Sequence, residues 1–210
     1  MHENSRLLFA EFAAKHFLPG LKVLEVGPDG FPSTYETLVA HRVAEWSTVD
    51  LAGDRGLTFR STTEYSFPIP DAAYDIVLSG QVLEHVRKPW IWIREVARVC
   101  KPDGLVITIC PVSWTYHEAP IDCWRVYPEG MKALYEEAGL RVVLSRWDSL
   151  ESPGCKAYRP GVSLAHQPQT WTWRLMRRIG PRFGMPVERA YDTITIGRKG
   201  TGDPSRENRI

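Results

Sequence analysis

Val23-Leu24-Glu25-Val26-Gly27-Pro28-Asp29-Gly30 decides how this chain of 210 residues is read. Its first four residues are an apolar run holding one acid, the pattern of a strand buried on both faces of a parallel sheet. The run breaks at once into a turn with two glycines, and glycine lets backbone approach a ligand where any side chain would collide. About two dozen residues on, Trp46-Ser47-Thr48-Val49-Asp50 repeats the pattern as an apolar, β-branched stretch that ends in a carboxylate. An acid at that offset, at the tip of a second strand, can accept both ribose hydroxyls of a nucleotide.

The turn discriminates between cofactor classes. A dinucleotide fold needs Gly-x-Gly-x-x-Gly to clear the pyrophosphate, whereas Gly27 and Gly30 are followed by Phe31 and Pro32, with no third glycine. A cofactor without pyrophosphate does not need the helix N-terminus as an anion site, and S-adenosylmethionine is such a cofactor. From Glu25 onward the chain resembles the class I S-adenosylmethionine-dependent methyltransferases, and among them the type 11-like enzymes that act on small molecules. Their first motif is an acid, any residue, glycine, any residue, glycine. Asp29 stands where the second glycine of that motif belongs, with Gly30 one place later. The resemblance continues through Phe67-Pro68-Ile69-Pro70-Asp71-Ala72-Ala73-Tyr74-Asp75-Ile76-Val77-Leu78-Ser79-Gly80-Gln81-Val82-Leu83-Glu84-His85-Val86, and again from Glu95 to Ile109. It covers roughly residues 20–145 and returns near 190–199.

Alternating strands and helices argue an α/β, doubly wound, Rossmann-like sheet with helices on both faces and ligands at the carboxyl ends of its strands. Strands are expected near 21–26, 45–50, 57–60, 74–79, 104–110, 140–147 and 191–198. Helices are expected near 5–17, with Ser5 as its cap, and near 33–42, 88–99 and 128–138. The resemblance implies seven strands, mostly parallel, with an antiparallel last one, and Asp192 to Arg198 suits that place. A single domain over 1–199 is expected, with an insertion at about 151–190 and a disordered tail at 200–210.

The resemblance implies residue roles. Glu25 and Gly27, with Pro28 and Gly30 in the same turn, line the methionine end. Asp50 holds the ribose and Leu51 lies beside the adenine ring. Thr63 and Glu64 stand where the family places an acid against the adenine amino group, and Ser79, Gly80 and Gln81 end the fourth strand beside the sulfonium. The product would be S-adenosylhomocysteine. A hydroxyl acceptor must also lose a proton, a task that suits histidine at neutral pH. His85 follows the fourth strand, and His117 follows the fifth in a polar-aromatic loop with Asp122. Trp114, Tyr116, Trp124 and Arg125 of that loop are candidates for holding a small-molecule or glycan-precursor acceptor, with O-methylation expected. Glu84 and His85 could share a metal in principle, but Gln81, one turn earlier, supplies no third charged ligand, so none is expected.

Composition bounds the alternatives. No apolar run of about 18 residues spans a membrane and the polar N-terminus lacks the layout of a signal peptide, so a cytoplasmic protein is expected. Four cysteines without a Cys-x-x-Cys pair read as free thiols. The net charge of +1 conceals −6 over residues 1–140 and +7 over 141–199. The basic stretch Trp171-Thr172-Trp173-Arg174-Leu175-Met176-Arg177-Arg178-Ile179-Gly180-Pro181-Arg182-Phe183 could meet RNA, an anionic membrane surface or an acidic small molecule, or be a helix whose aromatics join the core or a homodimer interface. Base methylation finds no support in the motifs: Ser79-Gly80-Gln81-Val82 replaces Asn/Asp-Pro-Pro-Tyr/Phe, and Cys110-Pro111 reverses the Pro-Cys of cytosine enzymes. An RNA methyltransferase, a non-catalytic cofactor-binding subunit motivated by Asp29, and a dinucleotide oxidoreductase remain as alternatives.

Overall fold

The computed structural model describes residues 3–51, 56–114, 116–118, 121–151, 171–172, 175, 179–183 and 190–201. The run that opens the glycine turn is strand β1 (Lys22–Val26). The others are β2 (Glu45–Asp50), β3 (Phe59–Arg60), β4 (Tyr74–Gly80), β5 (Cys100–Pro111), β6 (Leu140–Asp148) and β7 (Asp192–Lys199). They form one sheet in the order β3-β2-β1-β4-β5-β7-β6. The pairs from β3 to β5 are parallel, and β7 runs antiparallel to both β5 and β6. The doubly wound sheet expected from the sequence is the observed one.

Each face of the sheet carries its own core. Alternation along β1 sends Leu24 and Val26 to one face and Val23 to the other. The first face is covered by α3 (Pro89–Val99) and α4 (Pro128–Glu137), through Trp92, Ile93, Val96, Met131 and Tyr135. The second is covered by the N-terminal helix α1 (Glu3–Leu8) and by α2 (Thr34–Val39), through Leu8, Phe9, Tyr35 and Val39. Truncating a fully buried ring such as Trp92 costs about 3–5 kcal/mol in cores of this kind.

The N-terminal helix departs from expectation. It starts at Glu3 and continues through a π turn (Phe9–Ala13) and a 3₁₀ turn (Ala14–His16). Ser5 therefore lies inside the helix rather than capping it. Its buried hydroxyl lies 2.6 Å from the Tyr35 hydroxyl, a contact with α2 that local sequence does not encode. Cys100 and Cys110 are buried free thiols, and Cys123 is an exposed one. The expected insertion falls mostly outside the described residues, as do Trp173 and Met176 and the tail from residue 202. No described helix is long and apolar enough to cross a membrane.

Candidate active site

Strand order dictates where a ligand can sit. β1 pairs with β2 on one side and β4 on the other, so the connections diverge from it and leave a crevice at the carboxyl ends. The register aligns Val26 with Val49 and with Ser79, so Gly27, Asp50 and Gly80 come to one level. A cavity of about 350 Å³ opens there. That volume falls within the range of about 300–1,000 Å³ usual for small-molecule sites.

Eight of the cofactor residues expected from the sequence lie in its wall: Gly27, Pro28, Asp50, Leu51, Thr63, Glu64, Gly80 and Gln81. Glycine is required at two of these positions. Gly27 has φ +70°, and a Cβ there would stand 2.3 Å from Val82 Cγ2, while a Cβ on Gly80 would stand 2.1 Å from the Tyr35 hydroxyl. Gln81 adopts φ +60°, a left-handed conformation that costs a non-glycine residue about 1–2 kcal/mol. Its Nε2 donates to Asp192 Oδ1 at 3.0 Å, whereas its Oε1 is buried without a hydrogen-bond partner among the described residues. A strained residue that presents an unsatisfied acceptor at a cavity is a feature ligand sites retain. The cavity thus offers the Asp50 carboxylate at the β2 end and acceptor oxygen at the β4 end, a set that would fit a cationic nucleoside cofactor.

Glu25, Gly30 and Ser79 are not in the wall. Glu25 is buried behind it, where its Oε2 accepts from Ser33 Oγ at 2.5 Å and from Trp46 Nε1 at 3.1 Å. Burial pushes its carboxyl up to about 7, against the opposing effect of those two donors. Ser33 is itself the N-cap of α2, in a capping box with Glu36. Glu25 therefore ties the helix behind the glycine turn to β1 and β2 through Ser33 and Trp46. At Gly30 a Cβ would meet only the Pro32 carbonyl oxygen at 3.6 Å, ordinary contact, so that glycine is not sterically demanded.

Asp29, the departure from the family motif, has a local explanation. Its carboxylate accepts from Thr34 N at 2.8 Å and from Thr34 Oγ1 at 2.6 Å, at the first turn of α2. An acid there satisfies helix donors and complements the helix dipole. It also lines the cavity, together with Ser61, Phe67, Val82 and Trp92, none of which the sequence reading singled out.

Beyond the cavity, the loop after β5 is fastened to the turn after β4. Cys123 N donates to Glu84 O at 2.7 Å, Trp124 Nε1 donates to Val86 O at 2.9 Å, and His85 Nδ1 bonds Ile121 O. His85 lines the cavity, and the His117 ring stands edge-on to it with centroids 5.1 Å apart. Asp122 accepts from His117 N at 2.9 Å and pairs bidentately with Arg125 at 2.5 and 2.7 Å. Burial would raise the Asp122 carboxyl, but Arg125 and the His117 amide outweigh it and hold it below the usual carboxylate range. The loop residues Trp114, Tyr116, Trp124 and Arg125 all lie outside the cavity wall. Arg125 is engaged with Asp122, and the exposed Tyr116 donates to Glu118 Oε1 at 2.6 Å. Trp124 and Arg125 make contacts that hold the loop.

In sequence Glu84 has only His85 beside it as a potential ligand. In the fold, ligand atoms of Glu84, His85 and His117 lie within 4.8 Å of one another. Burial raises the Glu84 carboxyl to about 8.

Comparison with known proteins agrees with this geometry. A methyltransferase-domain family model matches residues 36–108. An uncharacterized methyltransferase of Mycobacterium sp. (strain JLS) is 32% identical over 105 residues, 45% of this chain and 41% of that protein. Over residues 36–108 the chain is similar to the methyltransferase-domain family. Among solved structures, a SAM-dependent methyltransferase from Archaeoglobus fulgidus superposes with a TM-score of 0.60 at 16% identity, covering 92% of each chain. A Haemonchus contortus phosphoethanolamine N-methyltransferase, solved with S-adenosylhomocysteine, gives 0.56 at 12% identity over 94% of this chain and 53% of its own. At these identities the likeness to both structures is one of fold, and this chain spans less than half the length of the curated relative it matches.

Proposed function

We propose that this protein transfers a methyl group from S-adenosylmethionine to a hydroxyl of a small molecule. The observation that carries the reading is the cavity at the β1/β4 switch point, with Asp50 at one end and the His85–His117 pair beyond the other. The bound cofactor supplies a methyl group already activated on a sulfonium, and it leaves as the neutral thioether. The protein then has to align the acceptor oxygen with the methyl carbon and the sulfur, and positioning of this kind can supply much of the rate. Asp50 accepts the ribose hydroxyls, and the aromatic and apolar wall formed by Leu51, Phe67 and Val86 takes the base. The C–O bond forms as the C–S bond breaks, and the acceptor proton passes to the imidazole pair.

Asp29 accepts from Thr34 at the first turn of α2, so it supplies no motive for a non-catalytic subunit. Cys110, the residue a cytosine-directed enzyme would need, is buried, and burial raises its thiol well above the usual range. Both observations favour small-molecule methylation over the alternatives.

Thermal-shift and calorimetric titrations with S-adenosylmethionine, S-adenosylhomocysteine and a nicotinamide dinucleotide test the cofactor assignment. Stabilisation by the first two and not the third is expected. Stabilisation by the dinucleotide alone would overturn it.

A further inference from the structure

Glu84 is the anomaly of this fold. It is fully buried, and neither carboxylate oxygen has a hydrogen-bond partner among the described residues. Leaving such a group unpaired costs more than a typical hydrogen bond contributes, so a buried carboxylate is normally matched by a donor or a cation. The groups nearest in the cluster are two imidazoles, with His85 Nε2 3.8 Å from Glu84 Oε1.

Both imidazoles are held from outside. His85 Nδ1 faces a carbonyl acceptor, Ile121 O, which makes it the protonated nitrogen and leaves Nε2 with its lone pair toward Glu84. His117 Nδ1 lies 3.4 Å from Asp122 Oδ2, a carboxylate already fixed by Arg125. A carbonyl behind one ring and a carboxylate behind the other are the outer partners that orient metal-binding histidines and set their tautomers.

We propose that Glu84, His85 and His117 bind one divalent transition-metal ion. Two imidazoles and a carboxylate suit zinc and its first-row neighbours, whereas calcium and magnesium take oxygen ligands. Donor atoms of a tetrahedral site with bonds of about 2.0–2.2 Å stand about 3.4 Å apart, so small side-chain rotations close the separations seen here. Three protein ligands leave a coordination position open. His85 also forms part of the cavity wall, so an ion held by these residues would adjoin the cavity.

If the methyl-transfer reading is right, on which this role rests, the open position takes the acceptor oxygen. The ion lowers the pKa of the coordinated hydroxyl, its proton leaves to water, and the oxygen attacks the methyl carbon as the C–S bond breaks. The imidazoles then act by holding the ion rather than as free bases.

The test is zinc titration by calorimetry of chelator-stripped protein, with cobalt(II) absorption as a spectroscopic reading of the ligand set. Wild type is expected to bind one equivalent. Glu84→Gln and His117→Ala should each weaken binding by about 100-fold or more, at or above the upper end of the loss seen on removing outer partners alone, and alter the cobalt spectrum. His41→Ala, at an exposed histidine outside the cluster, should bind as wild type does. His117 lies on a loop with its side chain one-third exposed, so its variant keeps the test valid if Glu84→Gln fails to fold. Wild-type protein that takes up no zinc, or loop and Glu84 variants that bind it undiminished, would overturn the site. Zinc binding without S-adenosylhomocysteine binding would remove the methyl-transfer reading alone, and the converse would remove the metal site alone.

Discussion

Gly27 and Val82 are in mutual van der Waals contact across the cavity floor, so close that any Cβ at position 27 would sit 2.3 Å from Val82 Cγ2. This contact packs the turn after β1 against the segment that follows β4. Gly27→Ala should therefore abolish S-adenosylhomocysteine binding and lower stability, through the clash and through a left-handed conformation that costs about 1–2 kcal/mol. Adding Val82→Ala should relieve the clash but leave the conformational cost, recovering stability only in part. Denaturant melts of the single and double variants measure the two contributions separately.

Asp29→Gly restores the family's second glycine. Since Asp29 accepts from Thr34 at the first turn of α2, the variant should lose about 1 kcal/mol of stability, the usual worth of a hydrogen bond, while S-adenosylhomocysteine affinity stays close to wild type. A gain in affinity would mean that the carboxylate obstructs the cofactor.

Asp50→Ala removes the acceptor assigned to the ribose at the carboxyl end of β2. Binding should weaken by about 1.5–3 kcal/mol, the worth of hydrogen bonds to a charged group. Calorimetry on the folded variant reads this directly, and unchanged affinity would remove the ribose role.

Glu25 makes stability depend on pH. Its carboxyl titrates at about 7 in the folded protein against 4.5 as the ordinary value. Between those values the native state holds a proton that the unfolded chain has released, so stability is full below about pH 4.5 and falls as pH rises to about 7. The loss attributable to this residue is on the order of 3 kcal/mol. Glu25→Gln keeps an oxygen for Ser33 and Trp46 but carries no charge. Its stability, measured by urea melts, should decline less than wild type across that window.

His117→Ala should lower the turnover number by about 100-fold or more, whether the ring takes the proton itself or holds an ion that does the same work. S-adenosylhomocysteine affinity should not move, because His117 is not in the cavity wall. Equal losses in both quantities would make His117 a structural residue. Added zinc should restore turnover to chelator-treated wild type and not to the variant if the metal site is used.

Much of this protein was legible along the chain. Strands β1, β2, β4 and β7 are continuous apolar or β-branched runs, and Pro89 and Pro128 open helices where proline is tolerated, so element positions follow from local chemistry. That Asp50, Gly27 and Gly80 line a cleft at the strand ends was legible for the same reason, since glycine marks close approach there. What local pattern could not carry is any role set by partners distant in sequence. Glu25 bonds Ser33 and Trp46 behind the cavity wall, Ser5 meets Tyr35 inside a helix, and Arg125 closes on Asp122 within its loop. Glu84 is the clearest instance. In sequence it has His85 beside it and no third group, but the crossover from β4 to β5 returns the chain and places His117 against both. Spacing along a chain reports neighbours on one element, while a site assembled from two loops exists only once the sheet has fixed the distance between their strands.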